Sequence, residues 1–323
     1  MITLGLEGTA HTLGVGLVDD KKIIADERAT YQPKEGIHPR EASRFIADNM
    51  KKTLNNAFDN AGINMEEVDL YAFSQGPGIG PCLRTVATAA RALALHYRKP
   101  IIGVNHCIAH IEIGRLICDK KNPLILYVSG GNTQILKLED KRYRIYGETL
   151  DIGLGNMMDK FGRTTGFAHP GGPKIEKQAL KGNSYIKLPY VVKGTDLSFS
   201  GLLTNAEQKY QTKKYILPDL CYSLQETAFS MLTEATERAL AHLKADELIL
   251  VGGVGNNKRL QDMLRTMSQE HKCSFCAPTR YLSDNGVMIA YTGLIMHKSG
   301  VRMEIAESKA RQKYRTDEVD IVW

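Results

Sequence analysis

The chain has 323 residues, 43% of them hydrophobic, and 42 Lys+Arg against 36 Asp+Glu give a formal net charge of +6. That length supports two lobes with sizeable cores, and the mild basic excess permits a nucleic-acid partner without demanding one. No apolar run reaches the length of a membrane span and nothing resembles a signal peptide, so the expectation is a cytoplasmic protein with no membrane partner. The six cysteines, at 82, 107, 118, 221, 273 and 276, show no extracellular disulfide framework, and the lone Cys273-x-x-Cys276 has no second pair to make a zinc ribbon.

Ile2–Leu6, Leu13–Val18 and Ile23–Ala25 read as an antiparallel meander whose first turn, Glu7-Gly8-Thr9, carries small residues. A helical pattern follows from Ala42 to Phe58, ending near Gly62, then a strand over 68–74. That strand runs into the turn Gln75–Pro81 and an alanine-rich helix over 83–95. Next comes the short apolar run Pro100–Val104, then His106-Cys107-Ile108-Ala109-His110 on a helix. Two histidines four apart lie on one helix face, so both imidazoles can reach one metal ion. An isolated pair of this kind is more often bonded to solvent or backbone; the rest of the chain decides.

Leu124–Val128, Ser129-Gly130-Gly131-Asn132-Thr133, Gln134–Leu138, a charged turn and Tyr143–Tyr146 then reproduce the opening meander about 120 residues later. Two such βββ units, each followed by α/β segments, predict duplicated lobes facing across a cleft. Beyond the second unit lie Asp159, the shaped loop His169–Pro173 and Glu176, which is expected to start a helix. One long amphipathic helix is predicted over 219–243, and a buried strand over 247–251 runs into Gly252-Gly253-Val254-Gly255-Asn256-Asn257. A helix over 258–267 and an edge strand over 274–278 follow. Asp284 stands at the start of a helix over 287–296, where a simple N-cap also explains it. Val319–Trp323 reads as a last strand.

Together His106-x-x-x-His110, Ser129–Thr133, Gly171-Gly172-Pro173, Gly252–Asn257 and Ser283-Asp284-Asn285-Gly286 resemble the universal tRNA threonylcarbamoyltransferase family, the catalytic subunit of the archaeal and eukaryotic KEOPS complex. The resemblance spans essentially the whole chain and implies the actin-like ATPase and sugar-kinase fold, α/β with two duplicated βββαβα lobes around a cleft. The expected division is 1–122, with a C-terminal return at about 298–323, and 123–297. The implied reaction transfers a threonylcarbamoyl group from threonylcarbamoyl-adenylate to the N6 amine of the adenosine beside the anticodon, in tRNAs reading codons that begin with adenine, with release of AMP.

By motif, the resemblance makes His106, His110 and Asp284 the catalytic metal ligands, with Tyr127 as a further ligand, for one divalent ion, iron or zinc. Tyr127, Val128, Ser129, Gly130, Gly131, Asp159, Gly172, Glu176, Gly252, Gly253 and Asn256 look like the contacts to the adenine nucleotide or adenylate. The implied partners are tRNA, a small atypical serine/threonine kinase subunit, fused or separate, and the small KEOPS subunits including a dimerising one. Arg40, Arg84, Lys160 and Arg163 are candidate tRNA contacts by position. Two rival functions share part of this pattern. A metallopeptidase would explain the histidines, but Cys107 stands where H-E-x-x-H places its general base. An ATP hydrolase or sugar kinase would explain the fold, but Glu7 replaces the aspartate of the usual D-x-G-T turn and the histidines would have no use.

Overall fold

A computed structural model of the chain describes residues 1–33 and 36–323. β1 (Thr3–Glu7), β2 (Thr12–Val18) and β3 (Ile23–Thr30) form the first meander. α1 (Pro39–Ala61) and α2 (Gly80–Tyr97) are the crossovers that bring β4 (Leu70–Gly76) parallel beside β1 and β5 (Ile101–Asn105) parallel beside β4. The strand order is β3-β2-β1-β4-β5.

After α3 (His106–Cys118), β6 (Leu124–Val128), β7 (Thr133–Glu139) and β8 (Arg142–Glu148) repeat the meander. Helices α4 (Leu154–Thr164), α5 (Gly172–Ala179), α6 (Ser200–Gln211) and α7 (Leu217–Leu243) lead to β11 (Glu247–Val251), with a two-stranded ribbon, β9 (Val192–Lys193) and β10 (Asp196–Leu197), between α5 and α6. Helix α8 (Lys258–Glu270), β12 (Ser274–Cys276) and α9 (Gly286–Lys298) complete the half. The second sheet runs β8-β7-β6-β11-β12. Position by position this is the order of the first, so the repeat read from the sequence is a repeat of topology, and α9 is the counterpart of α3.

The strands alternate between two cores. On β4, Tyr71 and Phe73 pack under α1 and α2, while Leu70 and Ala72 face α3 and α9. On β6, Leu124, Leu126 and Val128 join the core under α4–α8, and Ile125 and Tyr127 face α3. The layers are therefore helices, sheet, the α3/α9 pair, sheet, helices. Strands covered on both faces read as unbroken apolar runs, which is why they were legible. Helix α9 is apolar nearly all round because it is sandwiched.

Helix α9 rests on bare backbone. A Cβ at Gly16 would lie 2.2 Å from Val287 N, and one at Gly5 would lie 2.2 Å from Ala290 N. Thus α9, which falls in the range 123–297, packs on the first sheet. Three features differ from the sequence reading or add to it. Glu176 does not start its helix; α5 begins at Gly172, with Pro173 in its first turn. Val319–Trp323 is not a strand: it follows a 3₁₀ turn over Thr316–Glu318. Its backbone reaches the second sheet through Ile321 N–H donating to Lys141 O (2.7 Å), while Val319 and Ile321 are buried. Finally, Cys118 and Cys276 form a disulfide. The end of α3 meets β12 only in three dimensions, 158 residues apart in sequence, so spacing within the chain gave no sign of it.

The glycine contact predicts an asymmetry. Gly16→Ala should destabilise the protein by about 1–3 kcal/mol or more, because backbone cannot yield as a side chain can. Gly201→Ala, where a Cβ meets nothing within 4 Å, should change stability by less than about 0.5 kcal/mol. Chemical denaturation of both variants checks this, and equal stabilities would refute the close-packing account.

Candidate active site

Asn105 ends β5 and starts α3: its Oδ1 accepts from the N–H groups of Cys107 (2.9 Å) and Ile108 (3.2 Å). This N-cap fixes the first turn of α3, which carries His106 and His110, both buried. Facing them is Asp284. It does not cap α9; Asn285 does, accepting from Met288 N–H. The Asp284 carboxylate is thereby left to meet the histidines, with Oδ1 3.1 Å from His110 Nε2 and 3.6 Å from His106 Nε2. One ligand atom from each of the three residues lies within 4.8 Å of the others.

Behind them, Glu7 Oε2 lies 3.1 Å from His106 Nδ1, and Glu7 Oε1 accepts from Thr9 N–H and Thr9 Oγ1–H. A carboxylate behind an imidazole fixes the ring and turns Nε2 outward, the usual support of a metal-bound histidine. Glu7 was read from sequence only as a departure from a kinase motif. Tyr127 packs against His110, ring centroids 5.6 Å apart, and its hydroxyl is buried with no hydrogen-bond partner among the described residues. An unpaired buried hydroxyl costs about 1–3 kcal/mol, a cost a cation would remove. Two imidazoles, a carboxylate and this orphaned phenol fit a divalent ion with positions left for a ligand.

The site opens into a cleft of about 860 Å3. Its walls include His106, Asp284, Tyr127, Ser129, Gly130, Gly131, Asp159, Gly172, Glu176, Gly253 and Asn256, so most of the expected residues meet in one place. His110 sits a layer deeper. Val128 and Gly252 are off the wall: a Cβ at Gly252 (φ +94°) would strike Val128 O at 2.4 Å. Gly253 is the opposite case, with nothing within 4 Å of its Cβ position. Among the described residues, the N–H groups of Gly130 and Gly131 donate to no protein acceptor, while the carbonyls of Ser129 and Gly130 accept from Gly155 and Asn156 at the start of α4. The turn is held from behind and presents free donors in front. Asp159 accepts from Gly171 N–H (2.7 Å) and faces His169 Nδ1 (3.3 Å). Glu176 gives one oxygen to Lys258 N–H at the head of α8.

A model of the family described as tRNA N6-adenosine threonylcarbamoyltransferase matches residues 21–291. The protein of that name from Thermococcus kodakarensis is 58% identical over the full length of both chains, and that from Archaeoglobus fulgidus is 51% identical, again over both full lengths. The chain belongs to the tRNA N6-adenosine threonylcarbamoyltransferase family. Family membership makes it a transferase acting in tRNA modification. A probable bifunctional tRNA threonylcarbamoyladenosine biosynthesis protein from Methanobrevibacter smithii is 55% identical, matching all of this chain and 60% of the longer one. Among solved structures, HypF of T. kodakarensis superposes with a TM-score of 0.63 at 14% identity, over 91% of this chain and 47% of that one. The activator of 2-hydroxyisocaproyl-CoA dehydratase from Clostridium difficile gives 0.52 at 11% identity, over 94% and 100%. Those two likenesses concern the fold, which is of the actin-like ATPase type.

Two histidines on the wall were given no role from the sequence. His11, on the first turn, stands edge-on to His169 with centroids 5.0 Å apart, and His11 Nδ1 and His169 Nε2 are buried without partners. Single histidines a long way apart in sequence carry no spacing signal. Of the tRNA candidates, Arg40, Arg84, Lys160 and Arg163 are all exposed, and none forms an ion pair among the described residues.

Burial pushes the His106 pKa down, but the Glu7 and Asp284 carboxylates outweigh it and hold the value up at about 9. Burial and the neighbouring His106 lower that of His110 against the pull of Asp284. Burial alone would raise Asp284, yet the two imidazoles hold it well below the usual carboxylate range. Without a metal, His106 keeps a proton up to about pH 9, and a cation must displace that proton to bind. Apparent affinity for Co²⁺ should therefore rise with pH, about tenfold per unit between pH 6 and 8. In Glu7→Gln, which loses the charge that favours the proton, the rise should level off at lower pH. A pH-independent affinity in titrations of the wild-type protein would contradict this.

Proposed function

We propose that this protein transfers a threonylcarbamoyl group from threonylcarbamoyl-adenylate to the N6 amine of the adenosine beside the anticodon, in tRNAs reading codons that begin with adenine, and releases AMP. The observation that carries the reading is the convergence of a buried His-His-Asp group and a glycine-lined nucleotide cleft on one wall. His106, His110 and Asp284, with Tyr127, would hold one divalent ion, iron or zinc, which when bound supplies a Lewis acid for the carbonyl under attack.

The free N–H groups of Gly130 and Gly131 bind the adenylate phosphate and stabilise charge as AMP departs. Gly253 and Asn256 let the adenosine lie against backbone; Asp159 and Glu176 face its ribose. The arriving amine is weakly basic, so its orientation toward the carbonyl counts for more than prior deprotonation. Arg40, Arg84, Lys160 and Arg163, exposed on the surface, would take phosphates of the tRNA. The lobes are read as 1–122 with the return at 298–323, and 123–297; each sheet lies within one range, although α9 packs across them. The longer bifunctional relatives support an assembly of the KEOPS type, with a small atypical kinase joined to or bound by this chain and the small subunits, one of them dimerising. No described helix is long and apolar enough to cross a membrane, which agrees with a tRNA enzyme of the cytoplasm.

The test supplies purified protein with threonylcarbamoyl-adenylate, tRNA and its partner subunits. Wild-type protein should form modified tRNA, and His106→Ala/His110→Ala should lose transfer and bound metal together while staying folded. Gly253→Val, at a position on the cleft wall where a Cβ meets nothing within 4 Å, should raise the Kd for AMP at least tenfold with metal content unchanged. Transfer at the wild-type rate by the double variant, or unaltered AMP binding by Gly253→Val, would overturn the assignment.

A further inference from the structure

The last segment of the chain, residues 302–323, belongs to neither repeat and forms no strand, yet it touches both sheets. On the first, the Gln75 side chain donates to Glu307 O (3.2 Å) and Lys309 O (3.0 Å), and Arg311 N–H donates to Gln75 O (2.7 Å). On the second, the buried Thr316 hydroxyl donates to Gln134 Oε1 (3.3 Å), Arg142 pairs with Asp320 (2.7 Å), and Val319 and Ile321 enter the core that contains Tyr127. The segment is a strap across the foot of α3.

At the middle of the strap stands Asn105, 3% exposed. Its Oδ1 caps α3, as described above, and its Nδ2 donates to Tyr314 O (3.1 Å) and Arg315 O (3.3 Å). One amide thus joins the strap to the helix turn that begins with His106. Nothing about capping requires the second half of that amide, since a hydroxyl caps as well. Were α3 free to shift along its axis, its histidines would leave Asp284, which is fixed separately by the seat of α9 on glycine.

We propose that Asn105 is a positioning residue through which the C-terminal strap holds α3, and with it His106 and His110, in place opposite Asp284. The metal half of this statement rests on the metal site proposed above; the mechanical half does not.

Asn105→Ser in the full-length protein keeps a capping oxygen but cannot reach Tyr314 O or Arg315 O. Trypsin cleavage after the exposed Lys313 and Arg315 should become at least tenfold faster, with helix content by circular dichroism unchanged. The Kd for Co²⁺ should rise 10- to 100-fold, as for other groups that hold metal ligands in place, and the visible Co²⁺ band should shift. Asn105→Asp, which also keeps the acceptor and loses the donors, should behave in the same way. A folded Asn105→Ser protein with wild-type cleavage, affinity and band would reduce Asn105 to a helix cap and overturn the proposal. If that variant does not fold, Thr316→Val loosens the strap from its other side and should shift cleavage and band in the same directions; no change there also overturns it. Failure of the wild-type protein to bind Co²⁺ would count against the metal site, while the cleavage rates would still decide whether Asn105 clasps the strap.

Discussion

Between α9 and the first sheet no side chain intervenes at Gly5, Gly14 or Gly16, and the helix backbone lies directly on the strand backbone. This contact fixes the start of α9 and hence Asp284, two residues before it. Its counterpart α3 is fixed differently, by Asn105 at the end of β5 and by the packing of Cys107, Ile108 and Ile111 on the second sheet. The candidate metal centre lies where the N-terminal ends of these two equivalent helices meet. A duplicated fold has only one such place, and the cleft opens from it.

The electrostatics follow from that geometry. Taking Glu7, His106 and most of Asp284 out of water is expensive, and each of these ions alone would cost several kcal/mol. Grouping them offsets the cost, with His106 between two carboxylates, but the compensation is incomplete. The Tyr127 hydroxyl and His110 Nδ1 are left without partners. A site balanced in this way accepts a cation readily. The ordinary solution for a buried core, apolar side chains of the same volume, would have been simpler to stabilise.

Much of this was legible because the responsible signals are local. Paired apolar meanders, glycine-bounded strand ends and a histidine pair at helical spacing announce themselves within a few residues. The fold class, the repeat and most of the cleft wall followed. What escaped depends on contacts between distant segments. Glu7 looked like a mismatch until β1 placed it behind His106. Asp284 was singled out as a ligand only by the family resemblance; its local sequence read equally well as an N-cap, a role that Asn285 takes. The Cys118–Cys276 bond and the His11–His169 pair join residues more than 150 positions apart. The C-terminal strap has apolar residues at strand spacing, 319, 321 and 323, but its polar backbone meets scattered partners, the side chains of Gln75 and Asn105 and the carbonyls of Gln75 and Lys141, rather than a continuous strand ladder.

In the proposed function, the His-His-Asp group holds the ion on which transfer depends. Anomalous diffraction from crystals of the metal-loaded protein tests it most directly. One strong peak is expected about 2.0–2.2 Å from His106 Nε2, His110 Nε2 and an Asp284 oxygen, with Tyr127 within reach of it. Diffraction from fully loaded crystals with no peak between those residues, or with the ion held elsewhere in the chain, would contradict it.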